Sequence, residues 1–459
     1  MKLQLKNLGA AGAGCIDLDK RINLFCGPNS TGKTYVAFAI YALLCRKIVL
    51  KQNVEYVDTL VKDWNVTIDI PKQTLTLYRQ ILLKDLKDNL TTVYGIGQKD
   101  VRNIFGSFDM NYAESDEEFM AETKNRKVDR NVVIQGVNVK ISKRKDSDKL
   151  KLTILDKTIA EEKIPGIRLL INSAICHILV LNPINNLIML PVERNSIYTF
   201  SRELSLTRQM TIDQMQAFAE KGSNNVRIMD IINKNSNRYP LPITHRINEA
   251  NDLLQIKKQT SAYSAFAELL EEELLHGKVE ISDDGEIRFR PNKIESRTLP
   301  IVATASIIKT MSSLVVYLKH QAQYNDLIII DEPEINLHPD NQIVLARILA
   351  RLANKGLRLI ISTHSDYVIR EMNNLIMMSN KENPAVRNLL EQNVYEENEY
   401  INPVDLAVNY FGYKTKVSRK ATITNLPIDK RGFDVQSIND IIDRQNKICE
   451  TLYYGLEDE

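Results

Sequence analysis

Residues 27–34 read GPNSTGKT, residues 325–340 read NDLIIIDEPEINLHPD, and residues 357–365 read LRLIISTHS. Gly27, Gly32, Lys33 and Thr34 fit the phosphate-binding loop pattern G-x-x-x-x-G-K-[ST], with Pro28, Asn29, Ser30 and Thr31 as the variable positions. The glycines let the backbone turn its N–H groups toward a β-phosphate, and a helix N-terminus behind them adds partial positive charge. Lys33 supplies a point charge for the β- and γ-phosphates, and the Thr34 hydroxyl suits Mg²⁺. From average residue usage the pattern arises by chance in roughly one or two chains of this length per hundred. Context therefore decides. INLFC (22–26) reads as a buried strand and YVAFAIYALL (35–44) as a helix, so strand, loop and helix follow one another as the motif demands.

The second segment supplies the rest of an ATP site. Leu327–Ile330 reads as a buried strand that ends in Asp331 and Glu332. Asp331 is placed to hold Mg²⁺, directly or through water, and Glu332 to polarise the attacking water. In the third segment Leu357–Ser362 reads as another strand, closed by Thr363 and His364, where a γ-phosphate sensor is needed.

The run Asp331-Glu332-Pro333-Glu334, then Leu337-His338-Pro339-Asp340, then Ser362-Thr363-His364-Ser365 resembles the ATP-binding-cassette ATPases. Within them it is most similar to the soluble RecF/SMC-like and OLD-like branch. The opening strands that lead into the phosphate loop agree, as do LPVERNSI (190–197), the hairpin KVEISDDGEIRFRP (278–291) and the tail GFDVQSINDIIDRQNKICETLY (432–453). The resemblance is firm at both ends of the chain and patchy in the middle. It implies an α/β fold: an ABC-type P-loop ATPase head, with a mixed β-sheet and flanking helices, an inserted helical subdomain and a small C-terminal α/β region. It also implies that Asp331 is the Walker B metal residue, Glu332 the catalytic base, Leu337–Asp340 the D-loop and His364 the switch histidine. Heads of this family pair head to tail around two ATP molecules, each contributing a signature serine in trans. Ser306 is the best match for that serine, but Ile307 stands where glycine is expected, which should hinder close backbone approach to the trans γ-phosphate. A Q-loop glutamine is not evident, and Arg194 is a candidate for a neighbouring role.

Composition sets outer bounds. The chain has 459 residues, enough for two or three domains, with 44% hydrophobic and 26% charged residues and a net charge of +2. Cysteines 15, 26, 45, 176 and 449 show no C-x-x-C spacing, so neither a zinc site nor a disulfide framework is indicated, and a cytoplasmic location is expected. The apolar stretch 167–190 is interrupted by Arg168, Asn172, His177, Asn182, Asn185 and Asn186, too polar for a membrane span. Two basic clusters, Lys124–Lys151 (with Arg126, Lys127, Arg130, Lys143, Arg144 and Lys145) and Lys414, Lys416, Arg419 and Lys420, are candidate phosphate contacts.

The organisation expected is an N-terminal ATPase lobe over 1–200 with a strand-rich insertion near 51–165, a helical insertion over 201–277, a C-terminal ATPase lobe over 278–375, and a C-terminal region over 376–459. Strands are expected at 66–70, 132–142 and 149–155, a mobile loop at 107–131, and helices at 261–277 and 435–452. No sustained heptads appear, which removes the long-armed SMC type. Only 95 residues follow His364, too few for the Toprim nuclease domain of OLD-type proteins, and the six histidines are too scattered for an HNH site. In size and content the chain resembles the standalone ATPase subunits of two-gene bacterial anti-phage systems such as Septu and PARIS. That implies an ATP- and Mg²⁺-dependent sensor and scaffold, a homo-oligomer of head-to-tail dimers. Its expected partner is a separately encoded HNH or Toprim nuclease, with DNA, RNA or a phage protein as trigger. The alternatives are a RecF/SMC-like repair ATPase on DNA ends or gaps, and a regulatory nucleotide-binding protein with little turnover.

Overall fold

Three segments, 22–26, 327–331 and 358–362, are buried at every position. Strands apolar on both faces need helices on both sides, and that requirement builds the core. The computed structural model describes residues 1–50, 55–156, 158–200, 239–293, 297–415 and 417–455. Its strands run β1 (Lys2–Leu8), β2 (Ala11–Asp17), β3 (Ile22–Cys26), β4 (Asn65–Asp69), β5 (Asp109–Tyr112), β6 (Val128–Ile134), β7 (Val137–Lys143) and β8 (Lys149–Ile154). They continue as β9 (Leu187–Leu190), β10 (Gly277–Ile281), β11 (Ile287–Pro291), β12 (Leu299–Pro300), β13 (Leu327–Asp331), β14 (Arg358–Ser362), β15 (Leu406–Gly412) and β16 (Thr422–Leu426).

The central sheet has the order β16-β15-β3-β14-β13-β9. All neighbours from β15 to β9 are parallel, and β16 closes the edge antiparallel. Ile330 sits beside Ile361 and Ile361 beside Leu24, so β3, β13 and β14 end together. The three segments that carry the chemistry therefore leave the sheet side by side at its carboxyl edge, where open parallel sheets bind ligands. One apolar core lies between the sheet, β1–β2 and the helices Lys33–Cys45, Lys72–Asp88 and Ile164–Leu181. The other lies under the helices Ser306–His320, Pro339–Asn354 and Asp366–Met377. The fold is the α/β P-loop head that the motifs imply.

Several expectations need correction. The stretch 107–131 is not a mobile loop: it forms β5, the helix Asp116–Asn125 and the start of β6. A capping box ties Ser115 to Glu118, and three acids in the first turn favour the helix N-terminus. Arg79, 2% exposed, reaches Glu114 at 3.0 Å and Asp116 at 2.7 Å and lies over the rings of Tyr112 and Phe119. Polar composition suggested a loop because that anchor lies on a distant helix.

The stretch 51–165 also holds more helix than expected, including Tyr56–Asp63, Lys72–Asp88 and Gln98–Phe105, beside the sheet β4-β8-β7-β6. The helix expected at 261–277 spans Ser264–Leu270 and a π-turn to Leu275, with His276 left-handed, and Gly277 opens β10. Residues 201–238 of the expected helical insertion lie outside the described residues.

The boundary at 375/376 divides the sequence but not the sheet, because β15 pairs with β3 over Leu406–Tyr410. The helix Ile164–Leu181, with the turn before it, is long and apolar enough to cross a membrane by length and composition, because, of the six interrupting polar residues, Asn182, Asn185 and Asn186 lie beyond it and Arg168 is the only charged one within it. Ile167, Ile171, Ile175 and Leu179 are buried in the core. Its Asn172 and Ser173 accept from Tyr56 (2.6 Å) and the Leu50 N–H (2.7 Å).

The basic cluster at 124–151 is largely spent on the fold. Arg126 pairs with Asp19 at 2.7 Å and Arg130 donates to the carbonyls of Ile184 and Asn185. Lys143, 3% exposed, donates to the carbonyls of Lys124, Arg144 and Ser147. In the second cluster Lys420 donates to Asn7, Lys414 and Arg419 are exposed, and Lys416 lies outside the described residues.

Candidate functional site

The phosphate loop joins β3 to the helix Lys33–Cys45. Gly27 has φ +128°, and a Cβ there would stand 2.2 Å from the Phe411 carbonyl oxygen of β15. Gly32 has φ +95°, and its Cβ would stand 2.7 Å from the Ala11 nitrogen. Both positions combine left-handed backbone with main chain in the way, so only glycine fits. Within the loop the buried Thr31 hydroxyl donates to the Pro28 carbonyl at 2.8 Å, while Pro28, Asn29 and Ser30 face outward. Lys33 is 5% exposed and donates to the carbonyls of Gly27 (3.0 Å) and Pro28 (2.9 Å). Burial pulls its ammonium down to about 8, against the opposing field of nearby anionic groups that include Asp331, Glu332 and Glu334.

The Thr34 hydroxyl donates to Asp331 Oδ2 at 2.8 Å, although the two residues are 297 positions apart. The other carboxylate oxygen of Asp331 accepts from the Ser362 hydroxyl. A hydroxyl and a carboxylate held together are the hard oxygen donors that Mg²⁺ takes from a protein, with phosphate and water oxygens completing its shell. The residues present thus fit that ion.

Glu332 follows with φ +47°, a left-handed conformation unusual for glutamate. Its N–H donates to the Ser362 carbonyl at 3.0 Å, and its carboxylate lies 3.7 Å from His364 Nε2. Burial, then the charges of Asp331 and Glu334, raise the Glu332 carboxyl above the usual range. Burial and then the Lys33 charge hold His364 down to about 4, so its imidazole is neutral at pH 7 and can donate or accept.

Some of these contacts come from residues to which the sequence gave no firm role. Arg194, 1% exposed, donates to the carbonyls of Pro191 (2.9 Å), Asp331 (2.6 Å) and Glu332 (2.7 Å). Glu334 Oε1 accepts from the Thr363 hydroxyl and the His364 N–H, both at 2.8 Å, and so braces the switch segment from the loop after β13. Gln342 links the D-loop to the switch: it donates to the Leu337 carbonyl at 3.0 Å and accepts from the Ser365 hydroxyl at 2.5 Å. Glu334 was visible as the second acid of the DEPE run; Gln342 carried no signal beyond its place in the first turn of a helix.

Ser306 is the first residue of the helix Ser306–His320 and is exposed, with Ile307 half-buried behind it. Its carbonyl accepts from Thr310, which in turn accepts from Asn336 at the foot of the D-loop. In the D-loop Leu337 is buried, Pro339 opens the helix Pro339–Asn354, and the exposed His338 and Asp340 pair at 3.3 Å. The structure brings Gly27–Thr34, Asp331, Glu332 and His364 together. It links Ser306 to the D-loop and leaves its side chain facing outward.

These features define a P-loop ATPase head. The chain belongs to the AAA ATPase domain family, whose model matches residues 1–369. Among solved structures it is similar to an SMC head bound to the C-terminal winged-helix domain of ScpA, at 11% identity and TM-score 0.36, over 94% of this chain and 98% of that one. It is likewise similar to the SMC head domain from Thermotoga maritima (11%, TM-score 0.30, 93% and 98%). An SMC head with an extended coiled coil, bound to the C-terminal domain of ScpA derived from Pyrococcus furiosus, gives 12% identity and TM-score 0.34 over 98% of each chain. No curated protein matches the chain.

Proposed function

We propose that the protein binds and hydrolyses ATP, and that it acts as the nucleotide-dependent sensor and scaffold of a bacterial anti-phage complex that controls a separately encoded nuclease. The observation that carries the ATPase reading is the 2.8 Å contact between Thr34 and Asp331, with Glu332 and His364 adjoining it. Thr34 and Asp331 would hold Mg²⁺, which would supply charge neutralisation for the β- and γ-phosphates. Lys33 binds the same phosphates, and the loop N–H groups between Gly27 and Gly32 orient them. Glu332 is the base that takes a proton from the attacking water, and His364 hydrogen-bonds the γ-phosphate as its charge redistributes.

Outward-facing Ser306, His338 and Asp340 suit a second head docking tail to head across the nucleotide. The sensor reading rests on the resemblance to the standalone anti-phage subunits. It is tested by the mass of the complex isolated from its native operon, with and without ATP and Mg²⁺. A homo-oligomer carrying a nuclease chain is expected. A lone monomer that dimerises only with ATP, and binds DNA in a salt-sensitive way, would point to the repair-type ATPase.

A further inference from the structure

Arg194 presents an unusual economy. A guanidinium taken out of water normally finds a carboxylate, because burying the charge is costly unless it is paired. Among the described residues Arg194 makes no ion pair, and three main-chain carbonyls take its hydrogen bonds. Two of them belong to consecutive residues, Asp331 and Glu332, where the backbone leaves β13 and turns left-handed. A non-glycine residue stays in that region only where its surroundings over-determine it. Here both sides of the turn are held. The Glu332 N–H is fixed by Ser362 of β14, and the carbonyls on either side of that N–H by the two arms of Arg194. With the backbone fixed in this way, the Glu332 carboxylate points toward His364.

We propose that Arg194 is a positioning residue for hydrolysis: its forked grip on the Asp331 and Glu332 carbonyls fixes the turn that aims the Glu332 carboxylate. The inference rests on the ATPase reading above. Arginine is required because its planar fork spans two carbonyls at once, whereas a lysine ammonium is a single point on a flexible stem. Arg194 also opens the helical turn 194–200, so its backbone is anchored outside the acid loop that it holds.

The test uses the full chain with Arg194→Lys and Arg194→Gln, each alone and combined with Glu332→Gln. MgATP affinity, kcat and thermal unfolding are measured on every variant. For Arg194→Lys, kcat should fall by at least about tenfold while ATP affinity stays within about twofold, the pattern of an interaction realised only in the transition state. In the Glu332→Gln background the same substitution should cost nothing further, because the carboxylate it aims is gone. Turnover within about twofold of wild type, or affinity and turnover falling together, would overturn the proposal. So would losses that multiply in the double variant, or failure of both variants to fold. A wild-type chain that binds ATP without turnover would defeat the ATPase reading and this inference with it. An active wild type with indifferent variants would defeat the inference alone.

Discussion

Lys33 illustrates how far single residues could be read ahead of the structure. Its place in G-x-x-x-x-G-K-[ST] predicts a phosphate-binding charge, and its ammonium lies inside the loop that the pattern describes. Lys33→Ala should weaken ATP binding by at least about tenfold, the scale of a lost charge-assisted hydrogen bond of about 1.5–3 kcal/mol. Equilibrium titration with a fluorescent ATP analogue checks this, and unchanged affinity would remove the loop from the site. Asp331, Glu332 and His364 were legible for the same reason: each closes a strand whose apolar run is contiguous in sequence. Gln342 was not, and Arg194 was no more than a candidate, because a hydrogen bond to a main-chain carbonyl leaves no mark in the sequence of the acceptor. Glu334 was visible as an acid, but its hold on Thr363 and His364, 29 and 30 positions away, was not.

Among the elements, β3, β13 and β14 were legible because buried parallel strands carry short, largely apolar runs, here INLFC, LIIID and RLIIS. The stretch 107–131 misled because its order comes from Arg79, and the C-terminal region because β15 reads like any short strand. Its parallel pairing with β3 closes the sheet beside the phosphate loop, and the Phe411 carbonyl sets the space that forces Gly27 to be glycine. All the nucleotide motifs lie before residue 376, yet a chain cut after residue 375 should not fold. The cut would strip one edge of β3 of its ladder and leave Phe25 without the Phe411 ring 5.3 Å away. Circular dichroism and gel filtration of the truncated chain check this. A soluble, ATP-binding fragment would mean that the sheet closes without β15.

For the whole molecule, net charge said little, and the local basic run invited a nucleic-acid reading that the packing weakens. Lys143→Met should destabilise the fold by about 1 kcal/mol, because it removes the shared donor of three partly buried carbonyls. Urea denaturation measures this; an unchanged midpoint would return Lys143 to the surface. The histidines set a second property of the whole. Burial holds both His177 and His364 down to about 4, against an ordinary 6.5. The unfolded chain therefore takes up these protons first. Their contribution to stability is complete above about pH 6.5 and is lost as pH falls toward 4. Buried acids with raised values, such as Asp326 and Glu249, act in the opposite sense, so the comparison must be between variant and wild type. His177→Gln should flatten the acid limb of stability between those two values, and superimposable limbs would show that His177 is not desolvated.

The central claim is that these elements assemble an ATP-hydrolysing site with Glu332 as its base. The most direct measurement compares MgATP binding and single-turnover hydrolysis in the wild-type chain and in Glu332→Gln. The variant should bind ATP as the wild type does and hydrolyse it more slowly by ~10²–10⁴-fold, the usual contribution of a positioned base. Undiminished turnover in Glu332→Gln would contradict the assignment.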